Sequence, residues 1–271
     1  EGYLDDLRAD VVFRTPGMRP DVPALLGAKA RGSIVTSEME IFFEVCPCTI
    51  IGVTGSDGKT TTTSVIAEML KAAGKTVHLG GNIGRPLLPE IRDVKPEDVA
   101  VVELSSFQLI SMRRSPNVAV ITNLSPNHLD VHKDMDEYIA AKENIYLHQH
   151  EGDIAIFNED NDITRKLSKK AAAWTRFFSR RKEVTDGAFL RGDTIVLRHD
   201  GCEEAVMQIS DIRLPGMHNV ENYLAAVTAL DGLVPYEVMR ETARTFVGVE
   251  HRIEPVRTIR GVQWYLSLIH I

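Results

Sequence analysis

A glycine-rich turn, Gly52-Val53-Thr54-Gly55-Ser56-Asp57-Gly58-Lys59-Thr60-Thr61, stands where the β-branched run from Thr49 hands over to a stretch with Ile66, Met69, Leu70 and Ala73 at helical spacing. A strand, a glycine turn and a helix N-terminus in that order form the context of a phosphate loop. Gly55 and Gly58 let successive backbone N–H groups face an anion, and the helix adds the positive end of its dipole. Ser56, Asp57 and Thr61 complete the phosphate-facing segment, Lys59 can reach the β and γ phosphates, and Thr60 offers a hydroxyl to Mg²⁺. The strict pattern has glycine where Val53 stands, but Gly58-Lys59-Thr60 between strand and helix makes a chance turn improbable.

The remainder alternates short β-branched runs with helical ones, which predicts an α/β fold: a P-loop-type, mostly parallel sheet with helices on both faces. Strands are expected at residues 10–13, 49–54, 98–104, 117–123 and 153–158, and helices at 134–149, 220–233 and 236–246. Residues 187–209 read as antiparallel ribbon. At 271 residues, 44% hydrophobic and 25% charged, the chain can bury a full core. Its length suggests roughly two domains. With 38 acidic against 31 basic residues the net charge is −7, which argues against general nucleic-acid binding and leaves only a local phosphate site. No apolar run reaches the ~20 residues of a membrane span and the start lacks a signal-peptide pattern, so a cytoplasmic protein is expected. Cys46, Cys48 and Cys202 lack the spacing of a zinc knuckle or a C-x-x-C redox motif and read as reduced structural thiols. Glu203-Glu204 and the basic set Arg176, Arg180, Arg181 and Lys182 read as solvated loop charge, and Met217 as core filler.

The spacing Gly52-x-x-Gly55-x-x-Gly58-Lys59-Thr60-Thr61 resembles the ATP site of the Mur ligases and folylpolyglutamate synthases. Further segments follow in the family's order: Asn82-Ile83-Gly84, Glu103-Leu104-Ser105-Ser106-Phe107-Gln108-Leu109, Asn123-Leu124-Ser125-Pro126-Asn127-His128-Leu129-Asp130, Tyr138-x-x-Ala141-Lys142, Gly216-x-His218-Asn219-x-x-Asn222 and His251-Arg252. The chain is identified as a member of the Mur ligase family, and the Ser105-Ser106-Phe107-Gln108 segment resembles its D-glutamate-adding branch rather than the other Mur or folate ligases. A nucleotide-binding subunit without turnover is the alternative from another class, and Lys59, Glu103, His128 and Lys142 together argue against it.

The resemblance implies the chemistry of an ATP-dependent acid–amino acid ligase in cytoplasmic peptidoglycan precursor synthesis. ATP would phosphorylate the carboxylate of UDP-N-acetylmuramoyl-L-alanine, and D-glutamate would attack the acyl phosphate. It further implies Lys59, His128 and Lys142 as catalytic groups, and Thr60 and Glu103 on a first Mg²⁺. His128 would serve a second Mg²⁺ and the substrate, with Lys142 as a carbamylated oxygen ligand. Asn219 and Asn222 would meet adenine, Arg252 the ATP phosphates, and Asn82 the muramoyl substrate. Thr15, Pro16 and Gly17 resemble a turn of the uridine-binding domain. Taken as residues alone, His128 is a surface or structural histidine, Lys142 a solvated helix lysine, Asn219 a helix cap and Arg252 a surface arginine.

The chain has no initiator Met and ends in an uncapped apolar run, so it reads as a fragment. The resemblance implies three units: residues 1–48 as the end of a UDP-substrate-binding domain with α/β structure, 49–250 as the ATP-binding domain, and 251–271 as the hinge and stub of an amino-acid-binding domain. A monomer is expected, unable to complete turnover as residues 1–271 alone.

Overall fold

In the computed structural model, which describes residues 4, 7–126, 132–249 and 254–266, the chain begins with β1 (Val11–Phe13), α1 (Pro23–Ala30), β2 (Ile34–Thr36) and α2 (Glu38–Val45). β1 and β2 pair in parallel as a separate two-stranded sheet. The central part is β3 (Thr49–Thr54), α3 (Lys59–Ala72), β4 (Val77–Gly81), β5 (Val99–Glu103), α4 (Ser106–Leu109), β6 (Val118–Ile121), α5 (Met135–Glu143), β7 (Ile154–Asn158) and α6 (Asp162–Leu167). It continues through β8 (Trp174–Ser179), β9 (Gly187–Arg191), β10 (Thr194–His199), β11 (Cys202–Gln208), α7 (Met217–Leu230) and α8 (Tyr236–Thr245). A hairpin of β12 (Glu254–Ile259) and β13 (Val262–Leu266) follows.

Among the described residues the central sheet has nine strands in the order β11-β10-β9-β8-β7-β6-β3-β5-β4. Neighbours from β4 through β9 run parallel, and β10 and β11 are antiparallel. Side chains alternate across this sheet. Ile51, Val53, Val99, Val101, Val118 and Val120 face the layer of α3, α7 and α8, while Ile50, Ala100, Val102, Ala119 and Ile121 face α2 and α5. Burial on both faces is why β3, β5 and β6 read as unbroken apolar runs rather than alternating ones. α2, although it precedes residue 49, contributes Met39, Phe42 and Phe43 to that second face.

β3 lies between β5 and β6. The chain leaves β3 for β4 and β5 on one side and then crosses to β6 on the other, so the loops after the three strand ends part and leave a crevice at a topological switch point. α3 starts after Gly58, whose φ of +78° suits glycine, and stops at Gly74, where Gly74 N–H donates to Lys71 O and Lys75 N–H to Leu70 O. That stop is the one legible in the sequence. α5 is shorter than expected: Asp134 caps it, but it ends at Glu143 instead of running to 149. Side chains compete for the backbone there, with Ser115 donating to Asn144 O and accepting from His148 N–H, and Gln149 donating to Pro116 O. α7 begins three residues earlier than expected, at Met217, which is 41% exposed and not core filler.

β4 and β8 have no counterpart in the sequence reading, because His78 and two glycines interrupt the first and Arg176 the second. Arg176 corrects the expectation of solvated charge: it is 2% exposed, its Nε 2.6 Å from Asp186 Oδ1 and its Nη2 3.0 Å from Asp231 Oδ2. Glu203 is likewise on a strand, β11, bridged to Arg191 and Arg198. A lysine at 176 keeps the charge but cannot span both carboxylates. Arg176→Lys is therefore expected to destabilise the fold by about 2 kcal/mol, lowering the thermal midpoint by roughly 5 °C. Scanning calorimetry showing no change would refute the two-carboxylate account.

Candidate active site

The phosphate loop joins β3 to α3 at the switch point. At Gly55, with φ +152°, an added Cβ would collide with the Thr122 hydroxyl, and at Gly58 it would collide with the Asn222 amide oxygen. Both glycines are thus required by close approach as well as by backbone angle. The end of β6 seats the loop: Ser56 N–H donates to Asn123 O at 2.9 Å, Asp57 N–H to Asn123 Oδ1 at 3.0 Å, and Thr122 Oγ1 to Asp57 O at 2.6 Å. The Ser56 hydroxyl accepts from Ser125 N–H at 2.9 Å and lies 3.0 Å from Tyr138 OH. Lys59 Nζ donates to Ser56 O at 2.9 Å.

A cleft of about 340 Å³ opens in front of this loop, lined by Ser56, Lys59, Thr60, Asn82, Glu103 and Lys142, with Asp57 and Gly58 at its edge. Gly55 in the loop and Thr61 in the first turn of α3 do not line it. Glu103, at the C-terminal end of β5, is 1% exposed. Its Oε1 accepts from Asn82 Nδ2 at 2.8 Å, and Asn82 N–H donates to Glu103 O at 2.8 Å. Among the described residues its Oε2 is buried with no hydrogen-bond partner. A buried, unsatisfied carboxylate oxygen is costly unless a cation meets it. Among the described residues no three His, Cys, Asp or Glu side chains converge as a preformed metal cage. Mg²⁺ needs none, because it is ordinarily held by one or two protein oxygens together with substrate phosphates. Glu103 with the Thr60 hydroxyl in the same cleft fits that donor set.

Lys142 is not the solvated lysine its helix pattern suggests. It is 2% exposed, donates to Thr54 Oγ1 at 3.0 Å and Gly55 O at 2.9 Å, and stands over the Tyr138 ring. Burial first, and then the nearby charge of Lys59, push its pKa well below the ordinary lysine value, with Glu103 opposing. The folded chain therefore binds fewer protons than the unfolded chain between the depressed value and the unfolded lysine value of about 10.4. Stability contributed at this site rises with pH across that window, by up to about 1.4 kcal/mol per pH unit, and is lost as pH falls. Urea unfolding in CO₂-free buffer should show this slope in the wild type and a flatter one in Lys142→Met. Equal slopes would refute it.

The two asparagines meet at the N-terminal turn of α7, whose cap is Gly216 rather than Asn219. Asn222 Nδ2 donates to Asn219 Oδ1 at 3.1 Å, Thr62 Oγ1 donates to Asn222 Oδ1 at 3.2 Å, and Asn219 Nδ2 donates to Pro215 O at 2.7 Å. Much of their amide capacity thus ties α7 to α3 beneath the phosphate loop. Thr15, Pro16 and Gly17 form an exposed turn apart from that loop, closed by Met18 N–H to Thr15 O at 3.1 Å. Arg14 braces this turn, donating to Thr15 O, Pro16 O and Met18 O with one nitrogen and to Phe107 O and Ser111 Oγ with the other. Pro16 borders a second cleft of about 330 Å³ with Arg14, Glu38, Gly81 and Gln108. The capping box of Ser105 and Gln108 stands between the two clefts. His128 and Arg252 lie outside the described residues.

Sequence reading overlooked Arg14 and His132, and it quoted Tyr138 in a family motif without giving it a role. His132 is 3% exposed, its Nε2 is 2.8 Å from the Ser106 hydroxyl, and its ring stacks on Phe107. Burial lowers its pKa, with Glu137 opposing. The i, i+4 spacing of Tyr138 and Lys142 puts both on one helix face, which is the signal for a shared role.

The model of the Mur ligase middle domain matches residues 53–230. The chain is 55% identical over 266 residues to a UDP-N-acetylmuramoylalanine–D-glutamate ligase of Acetivibrio thermocellus and 52% identical to that of Clostridium novyi, in each case across 98% of this chain and 57% of the relative. The chain thus spans a little over half the length of these curated relatives. Among solved structures, MurF from Acinetobacter baumannii superposes with a TM-score of 0.65 at 20% identity, covering 84% of this chain and 54% of that one. MurC from Thermotoga maritima superposes with a TM-score of 0.63 at 22% identity, covering 100% and 63%. At such identities these two speak for the fold alone. With a family model spanning most of the central sheet and a phosphate loop facing a buried acid and a buried lysine, the chain belongs to the Mur ligase family.

Proposed function

We propose that the protein carrying this chain joins D-glutamate to UDP-N-acetylmuramoyl-L-alanine at the expense of ATP, in cytoplasmic peptidoglycan precursor synthesis. The observation that carries this reading is Glu103 Oε2, buried with no hydrogen-bond partner among the described residues, in the cleft before the phosphate loop that Lys59 also lines. The names of the 55% and 52% identical relatives support the choice of substrates.

In this reading the loop amides and Lys59 hold the ATP phosphates in line with the substrate carboxylate, a reaction that needs positioning and charge neutralisation more than covalent help. A carboxylate oxygen attacks the γ phosphorus and ADP leaves. The D-glutamate amine then attacks the acyl carbon, phosphate leaves, and the amine loses a proton. Thr60 and Glu103 would hold a first Mg²⁺, and His128 with Lys142 a second. Mg²⁺ bound there offsets charge on the phosphate oxygens. The depressed pKa of Lys142 supports carbamylation, because a neutral amine can add to CO₂, releasing one proton and leaving an anionic oxygen ligand. Asn219 and Asn222 would meet the adenine, Arg252 the phosphates, and Asn82 with the Thr15, Pro16 and Gly17 turn the UDP-substrate. The unit boundaries at residues 48 and 250 and a monomeric state belong to the same proposal.

The test is an activity screen of the full-length protein with ATP, Mg²⁺, UDP-N-acetylmuramoyl-L-alanine and a panel of amino acids. ADP release dependent on D-glutamate is the expected result. Turnover with another amino acid alone would overturn the acceptor, and failure to bind ATP with Mg²⁺ would overturn the whole reading.

A further inference from the structure

Cys46 and Cys48 sit at the junction between α2 and β3. Cys46 is the C-cap of α2, its N–H donating to Phe42 O at 2.9 Å, and Thr49 opens β3. Cys46 has extended backbone angles, φ −67° and ψ 121°, so residues 46 and 48 project to the same side, and Pro47 between them restricts the backbone. Their sulfurs are 3.5 Å apart. Cys48 is 6% exposed, whereas Cys46 is half-buried, and both line a cleft of about 390 Å³ with Arg114, His148 and His150. This cleft shares no lining residue with the one before the phosphate loop.

We propose that Cys46 and Cys48 form a reactive dithiol that small anionic disulfides, such as oxidised glutathione, convert to an intramolecular disulfide. The geometry divides the labour. Cys46, the more exposed residue, is the one a reagent reaches first, and the buried Cys48 resolves the adduct. The Cys46 thiol is drawn down to about 7, chiefly by the hydrogen bond with Cys48, with burial opposing and His78 assisting, while the Cys48 thiol is pushed up. Arg114, bridged to Glu44 at 3.3 Å and half-exposed, gives the cleft a guanidinium able to pair with a carboxylate of glutathione. A low-pKa, partly exposed thiol among basic groups is the environment in which cysteines react.

In the first step the Cys46 thiolate attacks one sulfur of the glutathione disulfide, and the other glutathione leaves as a thiolate. Cys48 then gives its proton to solvent and attacks the Cys46 sulfur of the mixed disulfide, expelling the second glutathione thiolate. Two protein thiols are oxidised and one disulfide is reduced to two thiols. The sulfurs must approach by roughly 1.5 Å to reach a bond of about 2.05 Å, a movement that rotation of the Cys46 side chain can supply. The bond would tie the end of α2 to the start of the strand that carries the phosphate loop.

The experiment treats the folded protein with oxidised glutathione, blocks remaining thiols, and examines the tryptic peptide between Arg31 and Lys59, which contains Cys46 and Cys48 and no third cysteine. The exposed Cys202 serves as the internal reference. The expected result is a peptide lighter by two hydrogens, formed roughly ten-fold faster than the glutathione adduct at Cys202. Cys48→Ser should stop at a stable glutathione adduct on Cys46. A wild-type peptide that stops at the adduct, or a Cys46 no faster than Cys202, would overturn the proposal, and neither result bears on the ligase reading.

Discussion

In the full-length protein, Lys59→Ala is expected to lower kcat/KM for the proposed ATP-dependent turnover about 1,000-fold, with Mg²⁺-dependent ATP affinity falling about 100-fold. The larger loss in turnover follows from the charge that develops on the transferring phosphoryl group, which a preorganised ammonium meets without reorganisation. Lys59 also donates to Ser56 O within the loop. That bond bridges only three residues at a site already seated by Asn123 and Thr122, so the thermal midpoint should fall little. Calorimetric titration with ATP and Mg²⁺, beside a melting curve, separates the two effects. Unchanged ATP affinity in a folded variant would remove the phosphate loop from the mechanism.

In the full-length protein, Glu103→Gln should cut the proposed turnover about 100-fold to 1,000-fold while leaving the fold intact or slightly more stable. The amide oxygen can still accept from Asn82 Nδ2, so the hold between β5 and the turn after β4 survives. What disappears is the carboxylate Oε2, which among the described residues is buried without a partner and costs folding energy while it waits for a cation. Raising Mg²⁺ should recover part of the activity if the loss lies in cation affinity. A variant with wild-type activity would show that Oε2 is an uncompensated burial with no role in the reaction. Loss of activity together with a collapsed melting curve would show instead that the fold itself depends on the Glu103 carboxylate.

Much of this molecule is legible along the chain because the relevant forces act over a few residues. The phosphate loop, the stop at Gly74, the apolar runs of β3, β5 and β6 and the antiparallel ribbon from β9 to β11 depend on turn chemistry, side-chain period and glycine placement, all local. The family motifs carry the likeness for the same reason: their spacing is a property of sequence.

Other features follow from what distant segments bring together. Arg176 is polar enough to read as solvated, yet Asp186 and Asp231 on separate elements allow it to be buried. Lys142 looks like any helix lysine until β3 supplies Thr54 and Gly55 around its amine. Cys46 and Cys48 are visible as a pair, but the cleft they share with Arg114 and His148 comes from segments far along the chain. The sequence by itself determined the loop, the sheet strands other than β4 and β8, and the family likeness, because backbone preferences and hydrophobic period are set by near neighbours. Only the tertiary structure decided which charges are buried, which oxygen lacks a partner among the described residues and which amine has its pKa lowered, because the free energy of a charge depends on everything packed around it.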